Sequence, residues 1–215
     1  MYNTILFDLD GTLTDPGIGI TNSVAYALSK WNIEAKDRSE LYKFIGPPLL
    51  DSFSEYYGFS EEQAQEALKY YREYFRSKGI YENEVYPGVV KMLESLKSSG
   101  KKIVLATSKP EDFAVIILKH FDLYKYFDFV AGATMDEKRT KKGDVIAYAM
   151  ESCGITEANL KDVIMVGDRK HDVLGAKENN LDCIGVLFGY GDREELEAAG
   201  AKFIAEKVED ILTFI

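Results

Sequence analysis

The chain has 215 residues, 46% of them apolar, with 26 Lys and Arg against 36 Asp and Glu and a formal net charge of -10. At about 150 residues per domain this is one large domain or a core with a small insert, able to bury roughly 70% of its unfolded surface, so a disordered chain is excluded. No Lys/Arg run exceeds two residues, which leaves no electrostatic footprint for nucleic acid or anionic lipid and requires a site for a small anion to bring its own positive groups.

The N-terminus reads Met1-Tyr2-Asn3-Thr4-Ile5-Leu6-Phe7-Asp8. It has no basic leader, and an acidic residue stands where a signal peptide would be apolar. The longest wholly apolar stretch, Phe113 to Leu118, falls far short of the ~20 residues that span a bilayer, so no transmembrane helix is expected. Cys153 and Cys183 show neither a CxxC spacing nor a His partner, so neither a metal nor a disulfide role is expected of them. A reducing, cytoplasmic setting follows.

The first apolar run, Ile5 to Leu9, reads as a strand and continues into Asp8-Leu9-Asp10-Gly11-Thr12. Strand side chains alternate, so Asp8 and Asp10 project to one face, and a turn at Gly11 can bring both to one point. Two carboxylates so close repel unless a cation lies between them or one holds a proton, and a divalent cation is the economical solution. On this motif alone, two solvated aspartates at a strand end are the alternative.

From about Pro16 to Glu84 no strand is expected and the periodicity is helical, as in Ile20, Val24, Ala27 and Leu28 and again in Ala64, Ala67, Leu68, Tyr71 and Phe75. The segment reads as an inserted helical subdomain, residues 16–84, interrupted by a rigid turn at Gly46-Pro47-Pro48. Many of the tyrosines fall here and just after, which suits a helical core with wet rims or a substrate-facing wall. Residues 1–15 and 85–215 then form the core. Pro87 can open a helix at its first turn, Val89, Val90, Leu93 and Leu96 give that helix an apolar stripe, and Gly100 can end it.

Further short strands are expected at Ile103 to Thr107, Phe127 to Ala131, Val163 to Gly167 and Cys183 to Leu187. Alternation of such runs with helix-length segments describes βαβ units on a parallel sheet. The strand end Leu105-Ala106-Thr107-Ser108-Lys109 offers a hydroxyl and free N–H groups before a helix opened by Pro110-Glu111-Asp112, suited to phosphate oxygens, although Thr107 can equally be an N-cap. Arg139-Thr140-Lys141-Lys142-Gly143 precedes an amphipathic stretch at Val145 to Met150 and can send one cation to the carboxylates, or remain a solvated loop. After the fourth run comes Gly167-Asp168-Arg169-Lys170-His171-Asp172, in which Asp168 and Asp172 are spaced to face the same way. Oxygen-only donors of this kind suit Mg2+. Arg169 and His171 read as helix-start surface residues rather than ligands. Gly189 through Glu197 is expected as a loop and helix, Lys202 to Ala205 as a short edge strand, and the chain ends in an amphipathic turn through Ile215.

The ordered set Asp8-Leu9-Asp10-Gly11-Thr12-Leu13, Thr107, Lys142, and Gly167-Asp168 with Asp172 resembles the haloacid dehalogenase-like phosphohydrolase superfamily over essentially the whole chain. The helical insert is similar to that superfamily's type 1 cap, and Gly46-Pro47-Pro48-Leu49 with Tyr86-Pro87-Gly88-Val89 is similar to its phosphoglycolate phosphatase branch. The resemblance implies an α/β fold, a three-layer Rossmann-like parallel sheet core with an inserted α-helical cap. It implies a phosphatase acting on a small-molecule phosphate monoester such as 2-phosphoglycolate, a nucleoside 5'-monophosphate or a sugar phosphate. Asp8 is then the nucleophile that becomes an aspartyl phosphate, and Asp10 the acid/base, a role that calls for a pKa raised by its surroundings. Mg2+ is held by Asp8, the Asp10 carbonyl and Asp168. Thr107, Lys142 and the backbone at Leu9, Asp10 and Ser108 hold the phosphoryl oxygens, with Asp172, Gly167 and Lys141 in support.

The departure from the family's usual pattern is Lys141-Lys142-Gly143 where many relatives carry Lys-Pro, which leaves two candidate lysines, of which Lys142 is preferred. Lys43, Lys69, Arg72 and Arg76 are cap cations able to meet a second anionic group. The competing readings are a phosphomutase with the same first half-reaction and a noncatalytic phosphate-binding module. Neither nucleic acid nor membrane is an expected partner, and the chain is expected as a monomer or homodimer.

Overall fold

The computed structural model describes residues 1–136 and 138–215. These separate into two compact units, Met1–Thr14 with Val85–Ile215, and Asp15–Glu84.

The chain begins with β1 (Thr4–Phe7), which is buried from Ile5 onward, and leaves the first unit through β2 (Thr14–Asp15). The second unit is built on α1 (Gly17–Ser29), α2 (Leu49–Tyr57) and α3 (Glu61–Ser77). Its buried faces carry Ile20, Val24, Ala27 and Leu28 on α1 and Ala64, Ala67, Leu68, Tyr71 and Phe75 on α3, so each apolar stripe at helical spacing is the face turned inward. Gly46, with φ of 103°, takes the left-handed conformation in the turn between a short 3-10 helix at Arg38–Phe44 and α2. Ser60 caps α3, accepting the N–H of Gln63 while the Gln63 side chain accepts the N–H of Ser60. Aromatic packing at Phe44, Phe53, Tyr56, Tyr57 and Phe59 fills the space beside α2.

The chain re-enters the first unit at β3 (Glu84–Val85) and continues through α4 (Val89–Ser98), β4 (Lys102–Pro110), α5 (Glu111–His120), β5 (Phe129–Ala133), α6 (Lys142–Ser152), β6 (Val163–Gly167), α7 (Lys170–Glu178), β7 (Asp182–Val186), α8 (Arg193–Ala199), β8 (Phe203–Ala205) and α9 (Ile211–Phe214). The six long strands make one parallel sheet in the order β5-β4-β1-β6-β7-β8. One face carries Leu6, Val104, Ala106, Ala131 and Met165 against Val145, Ile146 and Ala149 of α6 and Val173 and Ala176 of α7. The alternate residues Ile5, Phe7, Ile103, Leu105, Ile164 and Val166 are buried as well, which is why the strands read as continuous apolar runs. This is the three-layer, Rossmann-like α/β arrangement. Among the described residues no helix is long and apolar enough to cross a membrane.

Several boundaries differ from the sequence expectation. Pro87 does not occupy the first turn of α4, because Gly88, at φ of 94°, is the N-cap and Pro87 precedes it. β5 begins two residues later than expected, since a 3-10 turn at Tyr124–Tyr126 uses the preceding segment. β4 runs three residues past Thr107, and its register with β5 shifts between Ala106 and Pro110. Thr107 therefore cannot cap α5, whose N-cap is Pro110.

Candidate active site

The sheet reverses its direction of growth at β1. The chain adds β4 and then β5 on one side of β1 before crossing back to place β6 on the other, and open α/β sheets bind their ligands at the carboxyl ends of strands at such a switch point. Phe7 is in register with Leu105 of β4 and Val166 of β6. The residues just beyond, Asp8, Ala106-Thr107 and Gly167-Asp168, consequently meet at one edge. The Asp8 N–H still belongs to the sheet, donating to the Val166 carbonyl at 2.9 Å.

Beyond Asp8 the backbone turns sharply. The Leu9 carbonyl accepts the N–H groups of Thr12, Leu13 and Thr14, and the Gly11 N–H donates to the Thr14 carbonyl. Gly11 has φ of 82° and lies so close to Asp168 that a Cβ there would overlap its carboxylate, so glycine is required both for the turn and for the approach. The turn places Thr12 to donate from Oγ1 to Asp168 Oδ1 at 3.3 Å, while the Tyr190 N–H donates to Oδ2 at 2.8 Å.

Asp8, Asp168 and Asp172 form a single buried group, with one oxygen of each within 4.8 Å of the others. Lys142, in the first turn of α6, reaches into it. Its ammonium lies 2.8 Å from Asp8 Oδ1 and 2.7 Å from Asp172 Oδ1, and it donates to the Ala106 carbonyl at 3.1 Å. The two carboxylate contacts are ion pairs, and among the described residues Asp172 Oδ1 has no hydrogen-bond partner. Lys141 is the exposed N-cap of the same helix and makes none of them. Asp172 Oδ2 accepts the N–H of Arg169, closing a box at the start of α7.

Asp10 is held apart from that group. Its carboxylate makes a buried ion pair with Lys109, through Oδ2, and its Oδ1 is buried without a hydrogen-bond partner. Thr107 is buried and its hydroxyl accepts the N–H of Lys109 at 3.2 Å. Ser108 is half-buried. Gly167 packs so closely on Asp172 that a Cβ would overlap that carboxyl. Arg169 directs its guanidinium to Glu195, and neither it nor His171 contributes an atom to the three-carboxylate group.

Charge dominates the site. Four buried carboxylates (Asp8, Asp10, Asp168, Asp172) face two buried ammonium groups (Lys109, Lys142), so acidic groups outnumber basic ones. Burial, then repulsion from Asp172 and Asp8, raises the Asp168 pKa far above the ordinary carboxylate range. Burial also pushes Asp172 up to about 6, against the pull of Lys142 and with the push of Asp8. Asp10 is raised by burial, with Lys109 opposing. Burial disfavours the Lys142 charge, yet Asp172 and Asp8 outweigh it and hold the ammonium above the ordinary lysine range. Strained electrostatics with only oxygen donors is what a hard divalent cation relieves, so the residues present fit one.

Lys109, Thr12 and Tyr190 were not anticipated as site residues from sequence. Lys109 follows Thr107 by two residues, the strand period, and that spacing is a usable signal for a shared face. Tyr190 acts through its backbone N–H, for which no side-chain pattern exists.

A family model described as haloacid dehalogenase-like hydrolase matches residues 5–186. A 5'-nucleotidase from Pseudomonas aeruginosa is 46% identical over 92% of this chain and 88% of its own length. The tyrosine-protein kinase PtkA of Mycobacterium tuberculosis is 36% identical over 87% of this chain, a match spanning 62% of that protein. A crystal structure of a predicted phosphatase from Clostridium acetobutylicum superposes with a TM-score of 0.96 at 51% identity, covering 100% of this chain and 98% of the other.

Proposed function

The chain belongs to the haloacid dehalogenase-like hydrolase family and is a phosphoric monoester hydrolase, and from that premise we propose that it hydrolyses a small-molecule phosphate monoester in two displacements at Asp8. The observation that carries this reading is the division of labour between two aspartates two residues apart. Asp8 sits among carboxylates and is ion-paired with Lys142, whereas Asp10 sits on a separate lysine with a raised pKa and one buried oxygen that has no hydrogen-bond partner among the described residues.

In the first displacement the Asp8 carboxylate attacks phosphorus, and the leaving alkoxide takes the proton of Asp10. In the second, Asp10 draws a proton from water as it attacks phosphorus, and the Asp8 carboxylate departs. Burial raises the Asp10 pKa, the direction a proton donor calls for. Lys142 reduces the repulsion between Asp8 and an incoming phosphate dianion, and Thr107, Ser108 and the backbone N–H groups at Leu9 and Asp10 hold its oxygens. Mg2+, held by Asp8 and Asp168 with the Asp10 carbonyl and Asp172 alongside, supplies charge neutralisation of the phosphoryl group when bound.

A nucleoside 5'-monophosphate is the favoured substrate class, in keeping with the similarity to a 5'-nucleotidase. Phosphoglycolate and sugar phosphates are the comparison classes. The test is phosphate release from a panel of these esters with and without Mg2+. Release that requires Mg2+ and is lost in Asp8→Asn is expected. Interconversion of hexose phosphates without release of inorganic phosphate marks a mutase instead, and binding without turnover marks a noncatalytic module.

A further inference from the structure

We propose that Lys109 is a positioning residue for the reaction, anchoring Oδ2 of Asp10 so that Oδ1 is the oxygen that gives up and recovers the proton. The inference rests on the assignment of Asp10 as acid and base given above and adds the device that orients it. Lys109 and Asp10 are 99 positions apart in sequence and are joined end to end in the interior. The lysine is presented from an irregular stretch of β4, where the register with β5 shifts between Ala106 and Pro110 and the Thr107 hydroxyl takes up the Lys109 N–H.

Stability alone does not account for this arrangement. A buried ion pair gains little over an apolar pair of the same volume, and leaving one carboxyl oxygen buried and unpartnered costs more. The Asp10 carboxyl therefore has one oxygen fixed and the other uncommitted, and rotation that would exchange them requires breaking the ion pair. Lys142 is placed for a different task, its ammonium lying against Asp8, Asp172 and the Ala106 carbonyl.

The chemical step balances without further components. As the Asp8–phosphorus bond forms and the phosphorus–alkoxide bond breaks, the Oδ1 proton passes to the alkoxide. As water then adds to phosphorus and the Asp8–phosphorus bond breaks, a water proton returns to Oδ1. A carboxyl held in a reactive orientation performs both transfers without reorganising.

The test compares wild type, Lys109→Met, Asp10→Asn and the double variant on two esters, each with its Mg2+. One is adenosine 5'-monophosphate, whose leaving group needs a proton. The other is 2,4-dinitrophenyl phosphate, whose leaving group does not. Lys109→Met is expected to slow phosphoryl transfer from the nucleotide by about 10²-fold and to leave the dinitrophenol burst nearly unchanged. In the Asp10→Asn background it is expected to cause no further loss, because both changes act through one group. Lys109→Gln keeps a donor for Oδ2, is expected to recover part of the rate, and carries the comparison if Lys109→Met does not fold. Equal losses on the two esters, or losses that add in the double variant, overturn the proposal while leaving Asp10 in place. Net inversion of configuration at a chiral phosphorus during wild-type turnover instead overturns the covalent reading on which it rests.

Discussion

Asp168 is fully buried, and among the described residues it accepts hydrogen bonds from Thr12 and from the Tyr190 backbone and forms no ion pair. A carboxyl whose pKa rises on folding binds a proton more tightly in the native state. Its stabilising contribution is therefore greatest at low pH and declines as pH rises above the unfolded value. For Asp172 that decline spans 3.8 to about 6, and Asp168 is shifted in the same direction. Near neutral pH and without a cation, the charge on Asp168 works against the fold. In EDTA at about pH 7.5, thermal unfolding of Asp168→Asn is expected at or above the wild-type temperature. Added Mg2+ then raises the wild type in proportion to its occupancy and leaves the variant unmoved. At about pH 5 the wild-type gain shrinks, because protons compete for the same oxygens. An equal gain in the variant contradicts the assignment of Asp168 as a ligand.

Most site residues lie at or just beyond the end of an element, Thr107 three residues inside β4 being the exception, so element boundaries bear on the chemistry. β1, β4 and β6 deliver Asp8, Thr107 and Asp168 from neighbouring strands, and the first turn of α6 delivers Lys142. The strands were legible as short β-branched runs. Their ends were less so: β5 is displaced by a 3-10 turn and β4 is prolonged through an irregular register, both set by contacts distant in sequence. Helix faces were legible because a 3.6-residue stripe has one way to bury itself. Ends were legible where a side chain makes the cap, as at Ser60, and not where a left-handed glycine does, as at Gly88. Ser60→Ala is expected to lower stability by about 1 kcal/mol, read as a lower urea midpoint in the signal of residues 15–84, with phosphatase kinetics as a control. No change in the midpoint contradicts the role of the capping box in holding α3.

Over the whole molecule, a net charge of -10 surrounds a site for an anion, and two buried lysines offset only part of the negative charge of four buried carboxylates there. The place of Arg139-Thr140-Lys141-Lys142-Gly143 before an amphipathic stretch pointed to one cation without saying which, the preference for Lys142 came from the family resemblance, and the fold buries Lys142 and exposes Lys141. Lys109 was not legible, because its partner lies 99 residues away and only the pairing of β1 with β4 brings them together. The central claim is that turnover passes through a phosphoryl group on Asp8. Its most direct measurement is rapid quenching during turnover, reduction with borohydride and mass analysis of the peptide that contains residues 8 and 10. Conversion of Asp8 to homoserine, growing in and decaying with the substrate, is the predicted result. Full turnover with an unmodified Asp8, or label found on Asp10, contradicts it.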